Sequence, residues 1–220
     1  MTSPSFRDTE FVVREIAQTC LDNEKQFGDL DSVVGDGDFG YSLARGFEVV
    51  VNDWDSYDRS DIGTFLQKIA VAITGRIGGT SGPIWGTAFI RAAGVVKGRD
   101  EISGDDVVAM LRSAIEGIKA RGNADVGDKT LLDALVPMTD AAEQSIASGQ
   151  DAAATISAAA SAARAAADAT TSMIAKRGRA SYSGERSIGS PDAGAVAVAV
   201  ILERLDTDWP NRITEEVETP

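Results

Sequence analysis

The chain of 220 residues contains no histidine. That absence excludes serine–histidine–aspartate and cysteine–histidine triads, histidine-bound zinc and any phosphohistidine on this chain. There is one cysteine, Cys20, so no internal disulfide forms; it falls among apolar neighbours in a helical pattern, where thiols are inert. A reducing cytosol is the expected compartment. Basic residues are in deficit, 21 against 34 acidic, for a formal charge of -13 and a pI near 4.4. A chain this acidic lacks a wide field attractive to phosphate backbones, which disfavours nucleic-acid binding. Long apolar runs are missing too: the opening MTSPSFRDTEFVVREIAQ reads as neither a secretory leader nor a membrane anchor, so a soluble cytoplasmic protein is expected.

What the chain does have is helical periodicity. Val12, Ile16, Cys20 and Phe27 recur at steps of four, four and seven, so residues 6 to 29 read as one helix. Similar stripes run through Leu43–Val50, Ile62–Ile73, Ile84–Val96, Val107–Ile118 and Leu131–Ile146, then an alanine-rich stretch, then Ala195–Leu205. Residues 152 to 169 hold 12 alanines, the best helix former and one that lets helices approach closely; Arg164 and Asp168 argue against a membrane span there. With eight helices and no strand series, the expected fold is all-α, a single up-and-down antiparallel bundle over residues 1–206. An acidic tail, 207–220, follows.

The connections alternate in kind. Those after helices one, three, five and seven (LDSVVGDGDFG, RIGGTSG, RGNADVGDK and KRGRASYSGERSIGSPDAG) are glycine-rich with closely spaced charges or hydroxyls, whereas DWDSYDRS, KGRDEISG and SGQD are ordinary polar turns. Short connections force neighbouring helices antiparallel, so the four unusual loops should meet at one end. They bring with them the N-termini of helices two, four, six and eight, whose free N–H groups and dipoles favour phosphate.

In the first loop, Asp31, Asp36 and Asp38 place three carboxylates within eight residues. Such a set holds magnesium, typically bound by a few carboxylates plus phosphate oxygens; equally, Asp-Gly pairs make turns, and Asp31 or Asp38 serves as a helix cap. Gly78–Gly82 allows close backbone approach to a ligand, with Thr80 and Ser81 as donors, or is a turn capped by Ser81. Lys129 sits near a helix start, where a cation needs an anion beside it; Asp128 is the candidate partner. Arg177, Arg179 and Arg186 give the last loop a positive character suited to phosphate, and each also reads as a surface charge. Asp192 reads as a first-turn carboxylate or as a residue holding a nucleotide or an arginine. Three familiar patterns fail on context. GDGDFG follows no strand, GNADVGDKT has Asp128 where a P-loop has lysine, and the three aspartates lack the spacing and terminal glutamate of an EF-hand.

Taken together, DSVVGDGDFG, GGTSGPIWGTAF, GDKTLLDALVP and GRASYSGERSIG followed by DAGA resemble the DhaL family, the nucleotide-binding subunit of bacterial dihydroxyacetone kinase, from about Leu30 to Leu202. The resemblance implies an eight-helix antiparallel barrel with ADP or ATP at one end and two magnesium ions held by Asp31, Asp36 and Asp38. It carries nucleotide contacts to Phe39, Gly40, Tyr41, Ser42, Thr80, Ser81, Gly122, Leu131, Arg179 and Asp192. It implies a DhaK-like partner that holds the ketose covalently, and in some versions a DhaM-like phosphoryl donor. The substrate hydroxyl then attacks the terminal phosphate, so this chain supplies positioning and charge neutralisation and no nucleophile. Phe39 stands where phosphotransferase-linked relatives have histidine and many ATP-dependent ones cysteine, and it offers phosphate no hydrogen-bonding atom. Ser190 replaces another usual histidine. The competing expectations are a kinase acting on a lipid carried by a partner, and a regulatory module whose ADP-bound form engages a transcription factor.

Overall fold

A computed structural model of the chain describes residues 5–79 and 81–212. Among these residues nine α-helices follow in order: α1 (Phe6–Asp22), α2 (Glu24–Ser32), α3 (Phe39–Asn52), α4 (Ile62–Arg76), α5 (Ser81–Val95), α6 (Gly104–Gly122), α7 (Leu132–Ala147), α8 (Ala152–Ala169) and α9 (Ala193–Asp208). A 3-10 stretch, Arg179–Ser187, occupies the last long connection, and no β-strand occurs among the described residues. The all-α expectation holds.

Residues 6 to 29 form two helices rather than one. Asn23 makes the break: its side-chain amide donates to the Thr19 carbonyl at 2.8 Å, the same oxygen its backbone N–H reaches at 3.1 Å. Asparagine offers the backbone a local alternative to the helical ladder, and here φ opens to -106°. With α1 and α2 counted as halves of one element, the expected eight remain.

Each helix packs on the next around a ring, and α9 returns to α1 and α2 to close it. Phe27, Phe47, Phe65, Leu43, Ile62 and Ile73 are fully buried inside. On α8 the buried face is Ala159, Ala160, Ala163 and Ala167, small enough to let α7 and α9 lie against it over much of its length. Arg204 ties the closing seam, with Nε 2.6 Å from Glu15 and an Nη 2.6 Å from Asp22. Cys20 is buried, and burial pushes its thiol far above the usual range, so it is inert as expected.

The boundary expected at residue 206 falls inside α9. The ring of Phe11 meets Trp209 edge-on at 5.9 Å, and Arg212 donates to Asp8 at 3.0 Å, so residues 207–212 belong to the helical body. The rest of the acidic tail lies outside the described residues. Among the described residues, no helix is long and apolar enough to cross a membrane.

The first helix of the ring is opened by a capping box, with Ser5 accepting from the N–H of Asp8 and Asp8 accepting from Ser5. Helix α6 repeats it with Ser103 and Asp106, while Asp61 and Asp151 cap α4 and α8. These four helices all start at the rim opposite the unusual loops.

Close packing makes one glycine irreplaceable and leaves another free. A Cβ on Gly63 of α4 would lie 2.6 Å from the Lys97 Cα and 2.8 Å from the Ala93 carbonyl, both backbone, whereas one on Gly75 meets nothing within 4 Å. Gly63→Ala is expected to destabilise the fold by about 1–3 kcal/mol. Gly75→Ala, in the same helix, is expected to stabilise it by about 0.4–1 kcal/mol. Urea unfolding followed by circular dichroism checks both signs.

Candidate functional site

The four glycine-rich connections meet at one rim. Around a cavity of about 260 Å³ they place Asp31, Asp36, Asp38 and Phe39 from the first, Gly78, Gly79 and Ser81 from the second, Gly122, Lys129 and Leu131 from the third, and Arg177, Arg179 and Asp192 from the last. The floor is apolar: Ile84 and Trp85 from α5, Ile118 from α6 and Leu132 from α7. One wall is acidic, another basic, and the base is apolar.

Asp31 sits on the last turn of α2, Asp36 in the connection, and Asp38 immediately before α3. One carboxylate oxygen from each lies within 4.8 Å of the others. The tight return of the chain is built by Gly35, whose N–H donates to the Asp31 carbonyl at 2.6 Å, and by Gly37 at φ 77°, a left-handed position that glycine adopts without strain. A side chain on residue 35 would collide with the Asp31 carboxylate. Asp38 caps no backbone N–H, so the capping alternative does not describe it. Asp31 accepts only a long bond, 3.4 Å, from the N–H of Phe39.

Like charges this close need a cation. Arg179 supplies one, ion-paired with Asp36 and with an Nη 3.3 Å from Asp38. Its neighbour Arg177 turns the other way and donates to Asp128 at 2.9 Å, which also faces Lys176 at 3.6 Å. These cations hold the Asp128 carboxyl below the usual range against the opposing effect of burial. Arg186 is exposed.

The expected Lys129–Asp128 pair does not form. Lys129 is only 3% exposed, and its ammonium donates to the carbonyls of Met173 (3.2 Å), Ser187 and Ser190 (2.7 Å). Burial pushes its pKa down, partly offset by the charge of Asp192. Asp133, buried at the start of α7, accepts from the N–H groups of Gly127 (2.5 Å) and Thr130 (2.7 Å) and so shapes the third connection. Asp192 caps α9 through the N–H of Ala195 at 2.8 Å. Enclosure at the cavity wall raises its carboxyl to about 7; the α9 N–H groups of Ala195 and Gly194 and the Lys129 charge oppose the rise, and the charge of Asp133 adds to it.

Of the residues expected to contact nucleotide, Phe39, Ser81, Gly122, Leu131, Arg179 and Asp192 line the cavity. Gly40, Tyr41 and Ser42 do not: Gly40 is buried where a Cβ would strike the Glu24 carbonyl, Tyr41 projects outward beneath Arg45, and the Ser42 N–H donates to Asp38. Thr80 lies outside the described residues. The Phe39 ring lies against Phe27, with centroids 6.2 Å apart. Ser190 keeps a buried hydroxyl without a hydrogen-bond partner. Sequence reasoning did not identify the floor residues Ile84, Trp85 and Ile118, whose apolar periodicity is that of any core position, nor the backbone-binding role of Lys129.

Comparison with known proteins agrees with this arrangement. The model of the DAK2 domain matches residues 33–207. The chain is 39% identical over 176 residues to the PEP-dependent dihydroxyacetone kinase, ADP-binding subunit DhaL, of Escherichia coli, covering 80% of this chain and 84% of that one. It is 36% identical to L-erythrulose 1-kinase of Mycolicibacterium smegmatis, covering 90% of this chain but 35% of that enzyme. Among solved structures it resembles the dihydroxyacetone kinase from C. freundii in complex with AMP-PNP and Mg2+, with TM-score 0.74 and 25% identity over 94% of this chain and 35% of that one. The helical ring, its four-loop cavity and a match spanning most of the sequence lead to one conclusion: the chain belongs to the DAK2 domain family.

Proposed function

We propose that this chain is the ADP/ATP- and magnesium-binding subunit of a kinase for dihydroxyacetone or a related small ketose, transferring a terminal phosphate to substrate held on a DhaK-like partner. One observation carries the reading: three carboxylates, an arginine-bearing loop and a glycine-rich helix start surround a single cavity with an apolar floor. Its chemistry suits a nucleotide, with the base over Trp85, Ile84 and Leu131 and the phosphates towards Asp36, Asp38 and Arg179. The donor set is all oxygen and anionic, which fits a hard divalent cation. Asp31, Asp36 and Asp38 would hold the two magnesium ions, which when bound would supply charge neutralisation for the phosphates. The chain's own residues do the rest. Arg179, already beside the acidic cluster, is placed to meet phosphate oxygens, and the cavity walls orient the nucleotide while excluding water from its base.

The relatives named PEP-dependent support a nucleotide that stays bound and is recharged by a DhaM-like donor. Those named erythrulose kinases support a four-carbon ketose as an alternative acceptor. In either case the acceptor arrives on another protein, and the rim is built for contact. Val33, Tyr41, Val126, Ile174, Tyr182 and Ile188 are large apolar side chains exposed on the first, third and last connections or the helix start beside them. A cytoplasmic location accords with this partnership.

Three outcomes are expected. In titration calorimetry with Mg·ADP, Asp36→Ala weakens binding on the order of a hundredfold while leaving the far-ultraviolet spectrum unchanged; unaltered affinity overturns the metal assignment. Tyr182, 89% exposed, lies outside the cavity. Tyr182→Ala is expected to raise the KM for the substrate-loaded partner about tenfold with Mg·ADP affinity preserved, measured in a coupled kinase assay.

The third outcome concerns pH. Asp192 keeps its proton in the fold up to about 7, whereas an unfolded chain releases it near 3.8. The stabilisation this group contributes is therefore complete below pH 3.8 and lost as pH rises through 7. Nucleotide affinity follows the same direction, because a carboxylate formed at the cavity wall repels phosphate. Asp192→Asn retains an acceptor for Ala195 and should flatten both profiles between pH 5 and 8, read by urea unfolding and by calorimetry.

A further inference from the structure

The turn at residues 127–129 carries two unusual features on one residue. Lys129 is buried, and its backbone sits at φ 61°, a left-handed conformation that side chains other than glycine rarely adopt. Its ammonium has no carboxylate within ion-pair distance among the described residues. All three of its N–H donors instead go to main-chain carbonyls, those of Met173, Ser187 and Ser190. An apolar side chain would fill the same volume without desolvating a charge. These three oxygens are far apart in sequence and close in space, and only a cation with several donors draws them to one point.

Asp128 extends the grip. Its carboxylate takes Arg177 at 2.9 Å, and its carbonyl accepts the N–H of Lys176 at 3.0 Å. Adjacent residues of one turn thus hold the last connection at both ends, near 173–177 and near 187–190. The segment between them carries Arg179 to Asp36 and Asp38, and Ser183 to the Val34 carbonyl at 3.4 Å.

We infer that Lys129 is a positioning residue: its ammonium acts as a built-in structural cation that folds the last connection over the cavity and holds Arg179 at the acidic cluster. The inference rests on reading that cavity as the nucleotide site. Lys129 itself has no donor left for a phosphate, so it acts through Arg179 and contributes its charge only at a distance.

The test is a double-mutant cycle on the full chain. Lys129→Met and Arg179→Ala should each weaken Mg·ADP binding, by about tenfold or more, and the double variant should be no weaker than the weaker single. A residue that merely supports folding gives independent losses that multiply, and that result overturns the inference. Limited trypsin digestion supplies a readout that needs no nucleotide. Lys129→Met should be cut rapidly after Lys176, Arg177, Arg179 or Arg186 with helical content intact, and a loop as resistant as the wild type overturns the clamp. Lys129→Gly, which relaxes the left-handed backbone while removing the ammonium, provides a second variant should the methionine variant fold poorly. Hydrogen exchange of the unmodified protein needs neither: protected amides at Ala175 and Gly189 are expected, and exchange at free-peptide rates overturns the clamp. Wild-type protein that fails to bind Mg·ADP refutes the nucleotide reading instead, and trypsin and exchange then decide the clamp alone.

Discussion

Short connections between antiparallel helices are the constraint on which everything at the site depends. A chain that goes up and down around a ring delivers every second loop to the same rim, whatever those loops contain. Four segments separated by up to 160 residues therefore meet without any one of them needing to be long or to thread the structure. The ring itself is held by apolar interdigitation and by small residues where helices approach closely, as along the alanine face of α8 and at Gly63. Ion pairs such as Arg204 with Glu15 and Asp22 mark the seam between first and last helices; half-exposed as they are, they align more than they stabilise.

Within the rim, charge is balanced locally even though the protein as a whole is strongly acidic. Three carboxylates at one place are self-repelling, and the loop that carries them is bent by two glycines into a shape that brings them closer. Arg179 crosses from the opposite side of the sequence to neutralise two of them. In the function proposed above, a divalent cation would take the carboxylates and a phosphate the guanidinium, each satisfying one side of this pair. The ion pair keeps both groups at the cavity.

Much of this was legible in the sequence because the signals were local or periodic. Helical stripes, the alternation of loop types and the spacing of Asp31, Asp36 and Asp38 each reside in a few neighbouring letters, and together they define the ring and its functional end. Other features depend on relations no short window contains. Asn23 splits the first helix because its side chain competes for a single carbonyl, an effect weak enough to be invisible beside the apolar period that continues through it to Phe27. Lys129 looked like half of an ion pair with its neighbour, yet Asp128 is taken by Arg177 and the lysine by three carbonyls from the far end of the chain. Trp85 and Ile118 pack in the core and line the cavity as well, a second role that period alone does not reveal.

The two rims also differ in how they treat helix ends. At the far rim α1, α4, α6 and α8 each begin with a serine or aspartate side chain that accepts a backbone N–H, so the free donors of the first turn are satisfied within the protein. At the cavity rim α7 follows the same rule, with Thr130 accepting from the N–H of Leu132 at 3.2 Å and Asp133 from the N–H of Thr130 at 2.7 Å, while α3 departs from it. Helix α3 begins behind Asp38, whose carboxylate turns to Arg179 instead of capping. Helix α9 is capped by Asp192, the aspartate whose carboxyl favours its proton up to about 7. The caps of α7 and α9, Thr130 and Asp192, themselves line the cavity, so the side chains that finish these two helices also shape the site, whereas the caps opposite serve folding alone.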